Sequence, residues 1–363
     1  MKVAVVRVEE DDVEAAVRGA VNLLGGIGKF VEPDGSFLIK PNLFATKTAR
    51  DGATTDMRIV LALADMVKEA GSKPVVGECP ASSAYARPDT VFDGLGVRRM
   101  CEEAGVELKV LDREMPTRVE CPEGVAVEEL WFPEYALECA GIINVPKLKT
   151  HTLTTLTNAV KNLFGLQQGG SKSDHHVRTK NDPEQFSHLL LDIYDAVRSR
   201  VRLNVVDAVV GMEGEGPSNG EPVELNLIIA GDDAVAVDMV SSAVIGWDPM
   251  DVGTNYLAAK RGLGPSSFEE VEVVGVPVEK AVHPFKKPQI HQDGRQFLEV
   301  RMPIECDEEL CEGCGICAKI CPGGAITLQD IPKFDYDRCI QCFCCVELCP
   351  RGALRAVREE GDS

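Results

Sequence analysis

Short apolar runs alternate with amphipathic segments along the first 275 residues of the chain. The apolar runs, which predict buried strands, lie at 3–8, 37–39, 74–76, 140–145, 203–206 and 227–230. Apolar positions at helical spacing predict helices over 57–70, 95–104, 153–163 and 184–198. This alternation predicts an α/β fold, a mainly parallel sheet with helices on both faces.

Polar side chains follow most of these strands, at the point where each apolar run ends. In open α/β sheets, ligands bind beyond the carboxyl ends of the strands. We therefore expect a single rim with a basic set, Lys40, Lys147, Lys149, His151, Lys161, His175, His176 and Arg178. The same rim should have an acidic set, Glu78, Asp207, Glu213, Glu215 and Asp233. The basic set suits a small anionic substrate, a flavin or another anionic cofactor.

The candidates for catalysis on this rim are Lys147, Lys149, His151 and Asp207. His151 follows a strand beside two lysines, where it could transfer a proton. The candidates for holding a cofactor or ligand are Lys40, Asn42, Lys161, Asn162, His175, His176, Arg178 and Glu213. Two alternatives remain open: Asp207 as a helix N-cap or turn residue, and the two adjacent histidines as part of a solvated loop. Residues 167–178 show no periodicity and are predicted to form that loop.

The composition limits the classes of partner. The chain has 363 residues and a formal net charge of −20, which disfavours nucleic acid and anionic membrane surfaces. It contains no apolar run of about eighteen residues and no apolar signal segment at its start. Neither a phosphate-binding P-loop nor a dinucleotide fingerprint occurs. We expect a cytoplasmic protein without a membrane anchor.

Two cysteine runs near the end of the chain share one spacing, C-x2-C-x2-C-x3-C-P, at 311–322 and 339–350. This spacing places three thiolates around one [4Fe–4S] cube, and the fourth cysteine of each run ligates the other cube. One cube would then take Cys311, Cys314, Cys317 and Cys349. The other would take Cys339, Cys342, Cys345 and Cys321. Zinc is the alternative metal for such CxxC pairs. The two matching runs instead favour a small α+β two-cluster ferredoxin domain.

The remaining cysteines have no such pattern. Cys306 and Cys344 fit neither cube, and the other four belong to the α/β part. Of those four, Cys79 ends a predicted strand on the rim. The composition turns polar and proline-rich after residue 275. We therefore predict an α/β domain over 1–275, a linker or covering segment over 276–304, and a ferredoxin-like domain over 305–358.

Five motifs in order resemble the DUF362 family. They are Lys40-Pro-Asn42, Ala53-Thr-Thr-Asp56, Pro146-Lys-Leu-Lys-Thr-His151, Val160-Lys-Asn-Leu-Phe-Gly165 and Asp207 to Pro217. The second cysteine run is similar to the ferredoxin end often fused to that domain. The resemblance covers roughly 36–250 and the tail, and it implies an architecture without an established substrate or catalytic assignment.

The leading hypothesis is an iron–sulfur redox protein, and one version of it is a ferredoxin-linked oxidoreductase. Its clusters would relay electrons between a redox partner protein and an anionic ligand on the rim. One alternative is an electron carrier or assembly partner without catalysis of its own. Another is a non-redox enzyme that uses a metal held by Asp207, Glu213 and Glu215, with structural or regulatory clusters.

Overall fold

The computed structural model describes residues 1–80, 88–291 and 302–357. Its strands are β1 (Lys2–Arg7), β2 (Ser36–Pro41), β3 (Lys73–Glu78), β4 (Glu107–Val110), β5 (Pro116–Glu120), β6 (Glu129–Pro133), β7 (Gly141–Val145), β8 (Lys147–His151), β9 (Thr155–Thr157), β10 (Val201–Glu213), β11 (Glu221–Gly231), β12 (Glu272–Gly275), β13 (Ile304–Cys306), β14 (Ile326–Leu328), β15 (Pro332–Phe334) and β16 (Leu354–Ala356).

The α-helices of the same residues are α1 (Val13–Leu23), α2 (Met57–Glu69), α3 (Asp89–Gly94), α4 (Val97–Glu103), α5 (Glu134–Glu138), α6 (Ala159–Asn162), α7 (Ser171–Arg178), α8 (Pro183–Val197), α9 (Ala234–Val244), α10 (Gly253–Arg261), α11 (Val278–Ala281), α12 (Ile316–Ile320) and α13 (Cys344–Glu347). Four of them begin after an aspartate whose side chain accepts a backbone N–H of the first turn: Asp12, Asp56, Asp182 and Asp233. Asp233 therefore caps α9, although the sequence placed it with the rim carboxylates.

Ten of the described strands form one sheet, in the order β12-β1-β11-β10-β7-β2-β3-β4, with β8 beside β10 and β9 beside β8. β11 runs antiparallel to β1 and β10, and β9 runs antiparallel to β8. The other neighbours are parallel. The prediction of a mainly parallel α/β sheet is thus confirmed.

Each face of the sheet has its own apolar core because side chains alternate along a strand. In β1, Val3 and Val5 contribute to one core and Ala4 to the other. The first core includes the buried faces of α8, α9 and α10, and the second includes those of α1, α2 and α4. Helices therefore cover both faces and leave the strand ends to form the rim.

Near the rim the structure departs from several predictions. Residues 147–151 form β8 rather than a loop, and the predicted helix over 153–163 is β9 followed by the short α6. Threonine-rich 154–157 suits a strand because β-branched residues pack well on a pleated surface. The predicted loop over 167–178 contains α7. Asp207 lies inside β10 and caps no helix.

The described tail is a small α+β unit made of two similar halves. β13 pairs with β16 and β14 pairs with β15, both antiparallel. α12 belongs to the first cysteine run and α13 to the second. A separate apolar core that contains Met302, Ile326 and Phe343 holds this unit together. The predicted boundary at 304–305 remains a prediction, because 292–301 lie outside the described residues.

Candidate functional site

The tail brings its cysteines together in two sets of four. Cys311, Cys314, Cys317 and Cys349 line one crevice, although the last is far from the others in sequence. Burial raises the pKa of the Cys345 thiol, and the nearby Cys342, Cys339, Cys321 and Cys317 raise it further. The first crevice thus takes its fourth cysteine from the other run, as in two-cluster ferredoxins.

The two sets differ in their surroundings. Cys314 is exposed, whereas Cys342 and Cys345 are buried. The exchanged cysteines have matching contacts, since the amide of Ala325 donates to Cys321 Sγ at 3.2 Å and that of Ala353 to Cys349 Sγ at 3.3 Å. Hydrogen bonds to sulfur and solvent exposure both tune the potential of such a centre. Cys317 of the first set is buried as well, so the difference is that the first set includes an exposed cysteine and the second does not.

The rim of the α/β sheet packs against the second cysteine run. Ser218 Oγ donates to the carbonyl oxygen of Glu347 at 2.7 Å, and Asn219 Nδ2 donates to that of Leu354 at 2.9 Å. Asn181 Nδ2 donates to the carbonyl oxygen of Gln341. These bonds bring α13 against the strand ends.

A cavity of about 100 Å³ lies between the rim and the second cysteine run. Its polar wall is formed by Asn42, Glu78, Lys149, His151, Thr157, Lys161, Asn162, Lys172, Ser173, His176 and Glu347. Its other wall residues are Phe44, Cys79, Phe164, Gly165, Pro217, Cys344 and Leu348. Both domains therefore contribute to one enclosed and strongly basic space.

Lys149 and Lys161 are the central cations of this cavity. The ammonium of Lys149 donates to the carbonyl oxygen of Ala53 at 2.7 Å and lies 3.8 Å from the ring centroid of Phe44. Lys161 has no hydrogen-bond acceptor within the described ranges and faces the rings of Phe164 and Phe186 at 5.7 and 6.0 Å. Burial lowers the pKa of both lysines, that of Lys149 well below its usual range. A bound anion would stabilise both ammonium groups.

His151 is held in one tautomer by the backbone. Its Nδ1 accepts the amides of Leu153 at 3.0 Å and Thr154 at 3.4 Å, so the proton of the neutral ring is on Nε2. Nε2 lies 3.3 Å from Glu347 Oε1. Burial, together with Lys161 and Lys149, lowers the pKa of His151 well below its usual range. His151 is thus a neutral hydrogen-bond donor directed at the tail.

Glu347 is the carboxylate that the tail inserts between the cavity lysines. Burial raises its pKa, and the charges of Lys161 and Lys149 act in the opposite direction. It comes from α13, two residues from each of Cys345 and Cys349. Glu347 is therefore the acidic side chain that the second cysteine run contributes to the basic cavity.

α7 closes the cavity from the side. Lys172 donates to the carbonyl oxygens of Cys79 and Pro80. The ring of His176 stacks on Phe186 at 4.6 Å, and its Nδ1 lies 2.8 Å from Asn181 Oδ1. Burial lowers the pKa of His176 to about 4. These polar contacts explain why α7 lacks the apolar periodicity of an ordinary helix.

Other predicted site residues lie near the cavity without lining it. Lys40 pairs with Glu78 at 2.7 Å, and Lys147 pairs with Asp207 at 2.8 Å, both deep in the protein. Lys40 and Lys147 thus neutralise carboxylates of the sheet.

His175 Nε2 lies 3.0 Å from Gln167 Oε1, and Arg178 is exposed. Glu213 accepts the amide of Lys286 at 2.8 Å and is also away from the cavity. Of the twelve residues proposed for catalysis or ligand binding, those on the cavity wall are Asn42, Lys149, His151, Lys161, Asn162 and His176.

The proposed metal site on the acidic loop does not form. Asp207 pairs with Lys147, and Glu213 pairs with Lys286. Glu215 accepts the amide of Gln289. Among the described residues, no three His, Cys, Asp or Glu side chains converge as ligands of a single metal ion. Within the described ranges no helix is both long and apolar enough to span a membrane.

Sequence reasoning missed four polar residues of the cavity: Thr157, Lys172, Ser173 and Glu347. Lys172 was assigned to a loop, and Glu347 was read only as a spacer within a cysteine run. Glu347 has no local signal, because its role depends on how the tail docks. The spacing of four between Lys172 and His176 would have placed both on one helical face.

A family model described as "Domain of unknown function (DUF362)" matches residues 37–243, more than half of the chain. The chain belongs to the DUF362 family. A second model, described as "4Fe-4S dicluster domain", matches residues 310–353 of this DUF362 protein and supports iron–sulfur binding by its tail.

The DUF362 protein is 30% identical over 291 residues to the Synechocystis sp. protein named "Thylakoid-associated protein sll1697", covering 80% of this chain and 85% of that one. It also aligns with the lactate racemase apoprotein of Thermoanaerobacterium thermosaccharolyticum at 12% identity and a TM-score of 0.42. That alignment covers 64% of this chain and about half, 54%, of the racemase chain.

Proposed function

We propose that this DUF362 protein is a redox protein in which two [4Fe–4S] clusters relay electrons to or from a small anionic ligand in the cavity. The observation that supports this is the position of the cavity, between a basic rim and the second cysteine set. Cys344, whose neighbours in the run are Cys342 and Cys345, is itself part of the wall. A ligand there would lie beside the second cluster.

The residues present fit both clusters. One set comprises Cys311, Cys314, Cys317 and Cys349, and the other comprises Cys339, Cys342, Cys345 and Cys321. Clusters of this kind supply one-electron chemistry when bound. The exposed Cys314 favours a redox partner protein approaching the first set. Electrons would then cross the tail from the solvent side to the cavity side.

Side chains of the cavity would bind the anionic ligand and provide a proton. Lys149 and Lys161 neutralise the charge of the ligand, and His151 Nε2 offers a fixed proton donor. Docking of the tail excludes bulk water, which strengthens these electrostatic interactions. Covalent fusion keeps the electron source next to the site at a high effective concentration.

The size of the cavity argues against a flavin. Pockets for drug-sized ligands have volumes of about 300–1,000 Å³, whereas this one measures about 100 Å³. The flavin considered from the sequence has no support in the structure. The ligand that fits is small.

The proposal can be tested with the anaerobically purified holoprotein. Reduced clusters would be mixed with small anions while cluster absorbance and electron paramagnetic resonance are recorded. We expect at least one anion to reoxidise the clusters, and Lys161→Gln to slow this while the spectra of the clusters stay unchanged. The enzyme hypothesis fails if no compound changes the oxidation state, or if the variant reacts as fast as the native protein.

A further inference from the structure

We infer that the cavity binds a compact inorganic oxyanion with two negative charges, of the size of sulfite, sulfate or hydrogen phosphate. The inference rests on the proposed function, since it names the class of ligand for the same cavity. It excludes organic acids and nucleotide cofactors. Charge, size and unpaired polar atoms each lead to this conclusion.

The cavity wall has an excess of positive charge. Three lysines have ammonium groups there: Lys149, Lys161 and Lys172. Glu78 is already paired with Lys40 at 2.7 Å, so Glu347 is the one acidic side chain of the wall left to balance the three lysines. The described wall therefore has two more lysines than free carboxylates. A dianion can pair with both surplus lysines, whereas a monoanion leaves one of them without an anionic partner, at a cost in free energy.

The volume restricts the dianion to a compact one. At about 100 Å³ the cavity is well below the roughly 300–1,000 Å³ of pockets that hold drug-sized ligands. An oxyanion of four or five heavy atoms is among the ligands small enough for it. A dicarboxylate such as succinate has two charges at the ends of a carbon chain, and it would need a longer space between the rim and α13.

Two buried side chains on the wall each have a polar atom without a hydrogen-bond partner among the described residues. They are Thr157, which is 4% exposed and has an unpaired hydroxyl, and Asn42, which is 7% exposed and has an unpaired amide oxygen. Buried polar atoms are normally satisfied, so each unpaired one indicates a missing partner. The hydroxyl of Thr157 can donate to an oxyanion. Asn42 can do so with its amide nitrogen after rotation of the terminal group.

The experiment is calorimetric titration of the oxidised holoprotein at neutral pH in a buffer free of oxyanions. Sulfate, sulfite and hydrogen phosphate are the probes. Nitrate is the comparator of similar size with one charge, and succinate the larger comparator with two. We expect the dianionic oxyanions to bind at least tenfold more tightly than either comparator. Equal affinity for all five anions would overturn the inference.

Lys161→Gln is expected to weaken sulfate binding at least thirtyfold, because loss of one partner in a buried charge contact has a cost of about 2 kcal/mol or more. Lys180→Gln, an exposed lysine outside the cavity, is the matched control and should bind as the native protein does. Thr157→Val removes only the hydroxyl and should weaken binding roughly tenfold. Unchanged affinity in both cavity variants contradicts the inference.

The outcome also separates this inference from the proposed function. If dianions bind selectively but no anion changes the oxidation state of the clusters, the oxyanion site stands and the redox proposal fails. If an organic acid or cofactor reoxidises the clusters and binds more tightly than the oxyanions, the redox proposal stands and the oxyanion inference fails.

Discussion

Lys147 and Lys161 lie on the same rim, yet only Lys147 has a carboxylate of its own. Its ammonium lies 2.8 Å from Asp207, which also accepts the amide of Asp56 at 2.7 Å. Lys161 shares Glu347 with Lys149 and faces the cavity. The first lysine completes a neutral pair inside the sheet. The second leaves positive charge available to a ligand.

This difference shows how to interpret buried lysines at a strand end. Burial alone does not mark a binding residue, because Lys40 and Lys147 are as buried as Lys149. What distinguishes the cavity lysines is that they outnumber the carboxylates within reach. Paired lysines should therefore matter most for folding, and unpaired ones for ligand binding.

The largest expected effect concerns the buried Lys147–Asp207 pair. Asp207→Ala leaves the Lys147 ammonium unpaired at a fully buried position and should lower the free energy of unfolding by about 3–5 kcal/mol. Lys161→Gln should change it by less than about 1 kcal/mol. Urea denaturation of the anaerobic holoprotein, followed by circular dichroism, gives both values. Replacing both partners, Lys147→Met with Asp207→Leu, is the control and should recover much of the loss. Equal destabilisation by Asp207→Ala and Lys161→Gln would remove the distinction between paired lysines and cavity lysines.

The buried histidines next to the cavity extend the comparison to pH. Burial lowers the pKa of His175 and of His176 to about 4, while in the unfolded chain a histidine titrates near 6.5. Between these values the unfolded state binds protons that the folded state does not, so stability falls as pH falls from about 6.5 towards 4. Each histidine contributes up to about 1.4 kcal/mol per pH unit.

His176→Gln should make stability depend less steeply on pH, by the contribution of one histidine. Urea denaturation midpoints measured across this pH range give the slope. Lys180→Gln, an exposed substitution outside the cavity, is the control and should retain the native slope. A His176→Gln protein with the native pH dependence would show that His176 is protonated in the folded state.

A smaller effect is expected at the carboxylate that the cavity lysines share. Glu347→Gln removes the negative charge that competes with a bound anion, and should raise sulfate affinity about tenfold. Calorimetry measures this, with cluster absorbance as the check that the tail is intact. The exposed Glu309→Gln should leave affinity unchanged. Weaker binding by Glu347→Gln would mean that Glu347 helps the anion bind.

The smallest effect belongs to Glu213, which the sequence placed among the ligand-binding residues. It pairs with the exposed side chain of Lys286 at 3.2 Å. Exposed pairs contribute about 1 kcal/mol at most. Glu213→Gln should therefore keep sulfate affinity within about twofold of the native value. A larger loss would place Glu213 in the site after all.

Much of the α/β fold could be predicted because its core elements have strong local patterns. A helix was predicted over 57–70, and α2 spans Met57–Glu69 behind its N-cap Asp56. β8 and α7 could not be found in this way. Apart from Leu148, their buried side chains are lysines, histidines and a threonine, whose polar contacts are mostly with residues elsewhere in the fold.

The site was predicted in part for the same reason. Cysteine spacing identified both thiolate sets, since ligand geometry imposes a local rule. Lys149, His151 and Lys161, expected together on one rim, line one cavity. The sequence did not separate them from the paired Lys40 and Lys147. That separation depends on which carboxylate each lysine meets, and local sequence does not encode it.

The bonds that dock the tail have a consequence for the evolution of the protein. Ser218, Asn219 and Asn181 all donate to main-chain oxygens of the tail. Main-chain oxygens are present whatever the side chain, so substitutions in the tail leave these bonds intact. Selection could alter the surroundings of the sulfurs, and with them the reduction potential, without rebuilding the interface. The scaffold is thus suited to exchanging one electron source for another with a different driving force.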